Sequence, residues 1–219
     1  MRWTNKAKKK LRANRLGSNR LLAESLARCE HKPCVLICAS GMGYYPSSGD
    51  EFLTEDCPAG ASFVARLQQD GESATAPASE AGIRVVHLRI PPVLGGRALQ
   101  RVGLQAGDGQ QWVSWIGRDE LASIIEFTLR TGALSGPINA VSPNPLRNAE
   151  FSAVSTRALG QKPGGFMPAF VIKLVMGEIG EEFLLSSRRI VPSRLLDSGY
   201  VFQFPTLKDA LVHELAMEN

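Results

Sequence analysis

Long apolar runs, paired cysteines and aromatic residues are scarce in these 219 residues, and each shortage closes off a class of protein. No apolar run reaches the roughly 18 residues needed to cross a bilayer, so no membrane partner is expected. Cys29, Cys34, Cys38 and Cys57 form no C-x-x-C pair, and His31, His87 and His213 complete no zinc spacing with them. Cys34 and Cys38 stand in an apolar run, where cysteine behaves as a small hydrophobe, so no metal is expected and a reducing cytoplasm is. Aromatic residues make up 7% of the chain, and none interleaves with basic residues as single-strand nucleic-acid binding requires.

Three catalytic signatures are missing as well. A Tyr-x-x-x-Lys helix turn, which brings a base and its activating lysine to one face, does not occur. Four residues beyond Tyr44, Tyr45 and Tyr200 stand Ser48, Gly49 and Phe204. No G-x-G-x-x-G follows a strand and opens a helix, so a dinucleotide's pyrophosphate has no recognisable cradle. The turns that come nearest are GMG (41–43), GG (95–96) and GDG (107–109), the last reading as a plain turn before QQWVSW. Ser40 lacks the G-x-S-x-G of a nucleophile elbow, because its flanks are Cys38 and Met42.

What is present suits an α/β protein. The chain is 44% hydrophobic and long enough to bury a substantial core without staples. Its excess of base is confined to residues 1–20, which hold eight Lys/Arg and no acid, leaving 17 basic against 21 acidic residues elsewhere. Leu11, Leu16, Leu21, Leu22 and Leu26 recur at near-helical spacing there, so the charge reads as the solvated face of a helix over 4–28. That reading is weighed above a transit peptide or a phosphate-binding arm. CVLICA (34–39) reads as a buried strand, 61–80 as a helix, IRVVHLRI (83–90) as the next strand, about 118–131 as a helix, and GPINAVSP (136–143) as a strand. This alternation is the rhythm of crossovers in a parallel sheet. Beyond Asn144 the pattern turns mainly helical: 148–159 with Asn148 as a cap, 168–190, a short helix in 192–199, and a closing helix after Pro205, with YVFQF (200–204) as a strand.

Candidate chemistry gathers where CVLICA ends. In open α/β sheets ligands sit outside the carboxyl ends of strands, and there the chain delivers Ser40, a Gly-Met-Gly turn and the pair Tyr44-Tyr45. A serine that orients a substrate hydroxyl is the better functional reading of Ser40. Elsewhere a bland reading stands beside each sharp one. Trp112 and Trp115 suit core or pocket wall equally, Asp119-Glu120 complement a helix N-terminus, and Arg188, Arg189 and Arg194 could meet a phosphate or simply end a helix. His87, among apolar neighbours, reads as structural.

Six stretches in one order carry a resemblance: RWTNKAKKKLRANRLGSNRLL, VLICASGMGYY, the Asp-Glu-x-Leu-x-Glu stretch at 50–55, WVSWIGRDEL, SGPINAVSPNPLRNAEF and MGEIGEEFLLSSRRIVPSRLLDSGYVFQFPTLKDAL. Together they resemble the atypical extended short-chain dehydrogenase/reductases catalogued as epimerase family proteins. The last third is similar to the small domain of unknown function that closes members of that family. The resemblance implies a Rossmann-like NADP-binding domain over 1–143 and a smaller, mainly helical substrate lobe over 144–219. It implies an NADP(H)-dependent, epimerase-like oxidoreductase acting on a hydroxyl-bearing small molecule, of which a sugar nucleotide is one class. Ser40 and Tyr44 would be catalytic. Ser40, Gly41, Arg89, Ile90, Pro91 and Val93 would line the nicotinamide end of the cofactor, and Tyr45, Trp115 and Asp119 the substrate. The base stays unassigned, and members of this family commonly lack Tyr-x-x-x-Lys too.

This sequence also departs from the family. Gly117 stands where a Trp-Ile-His element has its histidine, Gly71 where a helix usually carries a tryptophan, and the segment from Gly96 to Gly107 is shorter. The pattern begins after the opening βαβαβ portion of roughly 75–85 residues, which normally carries the phosphate contacts. The expected sheet is therefore partial, and impaired cofactor binding and activity are expected of this chain. CVLICA would be an open, uncharged edge, a template for pairing with a second copy. A non-catalytic assembly module using that edge is the alternative to an enzyme.

Overall fold

The computed structural model describes residues 3–95, 103, 105–160 and 165–217. Helix α1 (Asn5–Ala27) starts where the Thr4 hydroxyl accepts the Ala7 N–H, satisfying one of the helix's orphan donors. It buries little more than Ala23, and Leu11, Leu21 and Leu22 remain exposed. Strand β1 (Val35–Gly41) follows, then a 3-10 turn over Met42–Tyr44 and the two-residue strand β2 (Phe52–Leu53). Helices α2 (Phe63–Ser73) and α3 (Ala76–Glu80) lead to β3 (Arg84–Ile90) and β4 (Val93–Leu94). Short strands β5 (Gln105–Ala106), β6 (Trp112–Val113) and β7 (Ile116–Gly117) precede α4 (Arg118–Arg130) and β8 (Gly136–Asn139).

The central sheet is parallel, in the order β1-β3-β8. Both its faces are covered, so Val85 and Val86, which point to opposite faces of β3, are both buried. Ile83 and Val85 pack with Leu36 against Ala23 of α1 and Ala78 of α3. Val86, Leu88 and Ile138 pack on the other face with Ile124 of α4 and Leu195. No described helix is long and apolar enough to cross a membrane.

The remainder comprises β9 (Leu146–Arg147), α5 (Asn148–Ala158), β10 (Phe166–Met167), α6 (Ala169–Met176), α7 (Glu178–Gly180) with a π turn over Glu181–Leu185, β11 (Arg189–Ile190), α8 (Ser193–Asp197) and α9 (Leu207–Ala216). Each of its strands pairs with a strand from before residue 144: β9 with β6, β10 with β5 and β11 with β2. The mainly helical part is thus laced to the α/β part by backbone hydrogen bonds. Helix α9 also packs Leu207, Ala210 and Leu211 into a cluster with Trp115 and Phe151.

Several expected elements come out differently. The helix expected over 61–80 breaks at Ala74-Thr75, because the Thr75 hydroxyl turns back to the Glu72 carbonyl and bonds His87 Nε2. Helical structure in 168–190 stops at Leu185, where Arg189 and Ile190 are drawn into pairing with β2. YVFQF forms no strand; Val201 is 82% exposed and no described strand pairs with it, while the Glu120 carboxylate accepts from the Tyr200 hydroxyl and the Phe204 N–H. Asn148 is the first residue of α5 rather than its cap, and its side chain accepts from the Ala106 N–H, tying α5 to β5. Gly96, with most of the segment up to Gly107, lies outside the described residues.

Among the described residues β1 is an edge, paired only with β3. One edge carbonyl, that of Ala39, accepts a hydrogen bond from the Arg15 guanidinium of α1. Gly71 leaves room for that arm: a Cβ on it would meet Arg15 Cγ and Nε at 3.3 Å. A charge laid across an open strand edge discourages edge-to-edge pairing. Arg15→Ala should therefore raise the weight-average mass in sedimentation velocity at high protein concentration. Arg12→Ala, which removes only a surface pair with Asp70, should leave it unchanged.

Candidate functional site

The carboxyl ends of β1, β3 and β8 bring together Ser40, Arg89 and Asn139. Helix α2 lies over them and adds Gln68 and Glu72, four residues apart and so on one helical face. The Ser40 hydroxyl donates to Glu72 Oε1 at 2.6 Å, with Gln68 Oε1 farther off at 3.4 Å. Arg89 holds the same carboxylate in a two-pronged pair, Nε to Oε1 at 3.0 Å and Nη2 to Oε2 at 2.9 Å. Its third arm, Nη1, donates to the Tyr45 hydroxyl at 2.8 Å, and that hydroxyl donates to Asn139 Oδ1 at 2.7 Å. Asn139 in turn donates to the Val191 carbonyl, so the chain of bonds runs from the strand-end serine to the C-terminal part.

Burial sets the electrostatics of this network. Arg89 is 2% exposed, and desolvation alone would lower its pKa; the Glu72 carboxylate and Tyr45 outweigh that and hold it above the ordinary value. Burial pushes the Tyr45 phenol up to about 12, against the pull of Arg89 and Asn139. Tyr45 is therefore no ready base near neutrality. Beside Asn139, Glu55 Oε1 accepts the Asn139 N–H at 3.0 Å, while Glu55 Oε2 is buried with no hydrogen-bond partner. Burial raises the Glu55 pKa above its ordinary 4.5.

The expected site residues divide between this network and the packing around it. Ser40 is 9% exposed, and Gly41 lies beside the Gln68 amide. The Tyr44 ring, partly exposed, lies 3.4 Å from the Arg89 guanidinium carbon. Ile90, Pro91 and Val93 run from the end of β3 into β4, with Ile90 and Val93 packed against the core between sheet and α4. Tyr45 and Trp115 have no exposed surface: Tyr45 is spent on Arg89 and Asn139, and Trp115 donates Nε1–H to the Asn144 carbonyl. Asp119 lies apart from the network, paired with His213 Nε2 at 2.8 Å. Gly117 leaves its space to Glu214, whose carboxylate accepts the Arg118 N–H at 2.6 Å and caps α4. Glu72, Gln68, Asn139 and Glu55 were missed in the sequence. For the first two a signal existed, polar residues four apart on the helix after the serine strand.

The strand ends offer the phosphates of a dinucleotide no glycine cradle. The space that a Cβ would take on Gly41 belongs to Gln68, and on Gly43 to Val64, so neither glycine forms an open cradle. Among the described residues no G-x-G-x-x-G turn leads from a strand into a helix N-terminus; the single glycine at the junction of β7 and α4, Gly117, has its space filled by Glu214. The residues present therefore do not fit a whole dinucleotide.

Comparison with known proteins shows the family of the chain. The chain is 34% identical over 220 residues to an epimerase family protein of Mycobacterium leprae, covering 96% of this chain and 71% of that protein. The chain belongs to the epimerase family. Residues 167–214 match a domain of unknown function (DUF1731). Human epimerase family protein SDR39U1 (isoform 2), whose structure contains NADPH, superposes with a TM-score of 0.90 at 29% identity, over 99% of this chain and 77% of that one. A nucleoside-diphosphate sugar epimerase from Corynebacterium glutamicum superposes with a TM-score of 0.81 at 33% identity, and there the match spans 98% of this chain and only 44% of the other. The Rossmann-like α/β fold and membership of an epimerase-like oxidoreductase family follow from these likenesses.

Glu55 gives the site a pH signature. Its folded pKa is raised, so its contribution to stability is fully present below the unfolded value near 4.5 and is lost as pH rises through the folded value. Glu55→Gln keeps an oxygen acceptor and stays neutral. The melting temperature of this variant relative to wild type should rise as pH increases above about 4.5 and level off once the folded carboxyl has ionised; parallel curves would contradict it.

Proposed function

We propose that this epimerase family chain supplies the nicotinamide-side half and the substrate lobe of an NADP(H)-dependent oxidoreductase. Its substrate is a small hydroxyl-bearing molecule, with sugar nucleotides as the leading class, and it works in a reducing cytoplasm. Ser40 orients the substrate hydroxyl, Tyr44 and Gly41 flank it, and Ile90, Pro91 and Val93 border the nicotinamide. The observation that carries this reading is the strand-end serine locked into the Glu72–Arg89 pair, at the place where open α/β sheets bind ligands. NADPH in the human relative supports the choice of cofactor. Weak cofactor binding by these residues is part of this reading, because none of the described residues forms a G-x-G-x-x-G turn for the pyrophosphate.

A second reading is favoured by the edge of β1: a non-catalytic module that assembles with a second copy through residues 34–39. Arg15 on the Ala39 carbonyl weighs against it.

Cofactor fragments decide the matter. If only the nicotinamide half is held, reduced nicotinamide mononucleotide and NADPH should quench or shift in fluorescence titrations with dissociation constants within about threefold of each other, near the millimolar range. No saturation by either compound up to about 10 mM would remove the oxidoreductase reading. NADPH binding about a hundredfold tighter than the mononucleotide would show that this chain holds the phosphates after all.

A further inference from the structure

Resting on the reading of Ser40 as a ligand-facing residue, the hydrogen bonds around it specify the polarity of the group it can hold. A serine hydroxyl has one proton to donate and two lone pairs to accept with. At Ser40 the proton is committed. The 2.6 Å contact with Glu72 Oε1 has the length of a charge-assisted O–H···O⁻ bond, whereas 3.4 Å to Gln68 is too long to compete. Glu72 cannot return a proton, because an ionised carboxylate only accepts, and the two-pronged grip of Arg89 keeps it in place. No described group donates to Ser40 Oγ, so its lone pairs are unspent.

We infer that Glu72 is a positioning residue that turns Ser40 into a hydrogen-bond acceptor, so that the site takes an alcohol or another donor at this point and discriminates against a carbonyl. The chain thus holds the hydroxyl form of a substrate more tightly than its keto form. A serine free to rotate would serve both forms. In this fold it is fixed by a carboxylate on the neighbouring helix, one turn after Gln68. Tyr45 cannot reverse the polarity, since its hydroxyl is occupied by Arg89 and Asn139.

The test uses a matched pair of probes of sugar-ring size, cyclohexanol and cyclohexanone, titrated while the backbone amide resonances of Ser40 and Gly41 are followed by NMR. Wild type should bind the alcohol about fivefold more tightly than the ketone. Ser40→Ala, which leaves the Glu72–Arg89 pair intact, should abolish that preference. Glu72→Ala frees the serine proton and should shift the preference toward the ketone; should that variant fail to fold, the serine variant decides. Equal affinities in wild type, a tighter ketone, a preference that survives in Ser40→Ala, or no shift at these two amides would each overturn the inference. The outcome is separable from the cofactor titration. Nicotinamide binding without alcohol preference defeats only the polarity argument, and alcohol preference without nicotinamide binding defeats only the oxidoreductase reading.

Discussion

The buried pair between Arg89 and Glu72 is the contact on which the strand-end architecture depends. A guanidinium 2% exposed at the end of a central strand is tolerable only if its charge and donors are met. Glu72 meets two of those donors, and Tyr45 takes a third. Removing one partner of such a pair typically costs about 3–5 kcal/mol, because the other charge is left buried and alone. Everything close to the candidate site is fixed by satisfying this one cation: α2 is held over β1, the 3-10 turn is folded back so that both tyrosine rings approach Arg89, and Ser40 receives its acceptor.

A second buried arginine extends the same logic to the C-terminal part. Arg188 is pinned to the Glu182 carboxylate and carbonyl and donates Nε–H to the Tyr45 carbonyl at 2.9 Å. Burial lowers its pKa, with Glu182 opposing. Tyr45 is thus gripped at its hydroxyl by the sheet and at its backbone by the lobe. With the three cross-paired short strands, this makes the lobe part of the framework behind the site.

The network has a chemical cost. Every donor and acceptor that rigidifies the strand ends is one that a substrate cannot use, and Tyr45, Arg89 and Asn139 are spent on one another. What remains available is narrow: the Ser40 lone pairs, the Tyr44 ring, and the backbone of Gly41. That economy favours positioning over proton transfer, consistent with a chain that has no Tyr-x-x-x-Lys. Gln68 and Glu72 have the same four-residue spacing on α2, but an amide and a paired carboxylate cannot act as a tyrosine activated by lysine does.

By itself the sequence determined the layers and their order. Periodicity and breakers place α1, β1, β3 and α4 within a residue or two and β8 at its start though not at its end, four residues short of the expected 143, because a strand buried on both faces and an amphipathic helix have patterns that need no partner to be recognised. It also determined the family, through six weak motifs in one order, and the place where ligands approach, through a serine at a strand end. Tertiary structure alone decided which side chains join Ser40 in one network, since Glu72, Arg89 and Asn139 lie 32, 49 and 99 residues along the chain. It likewise decided that YVFQF is not a strand and that Asn148 ties two elements instead of capping one. A strand exists only where another edge is available, and a polar side chain takes whichever orphan group the fold brings within reach.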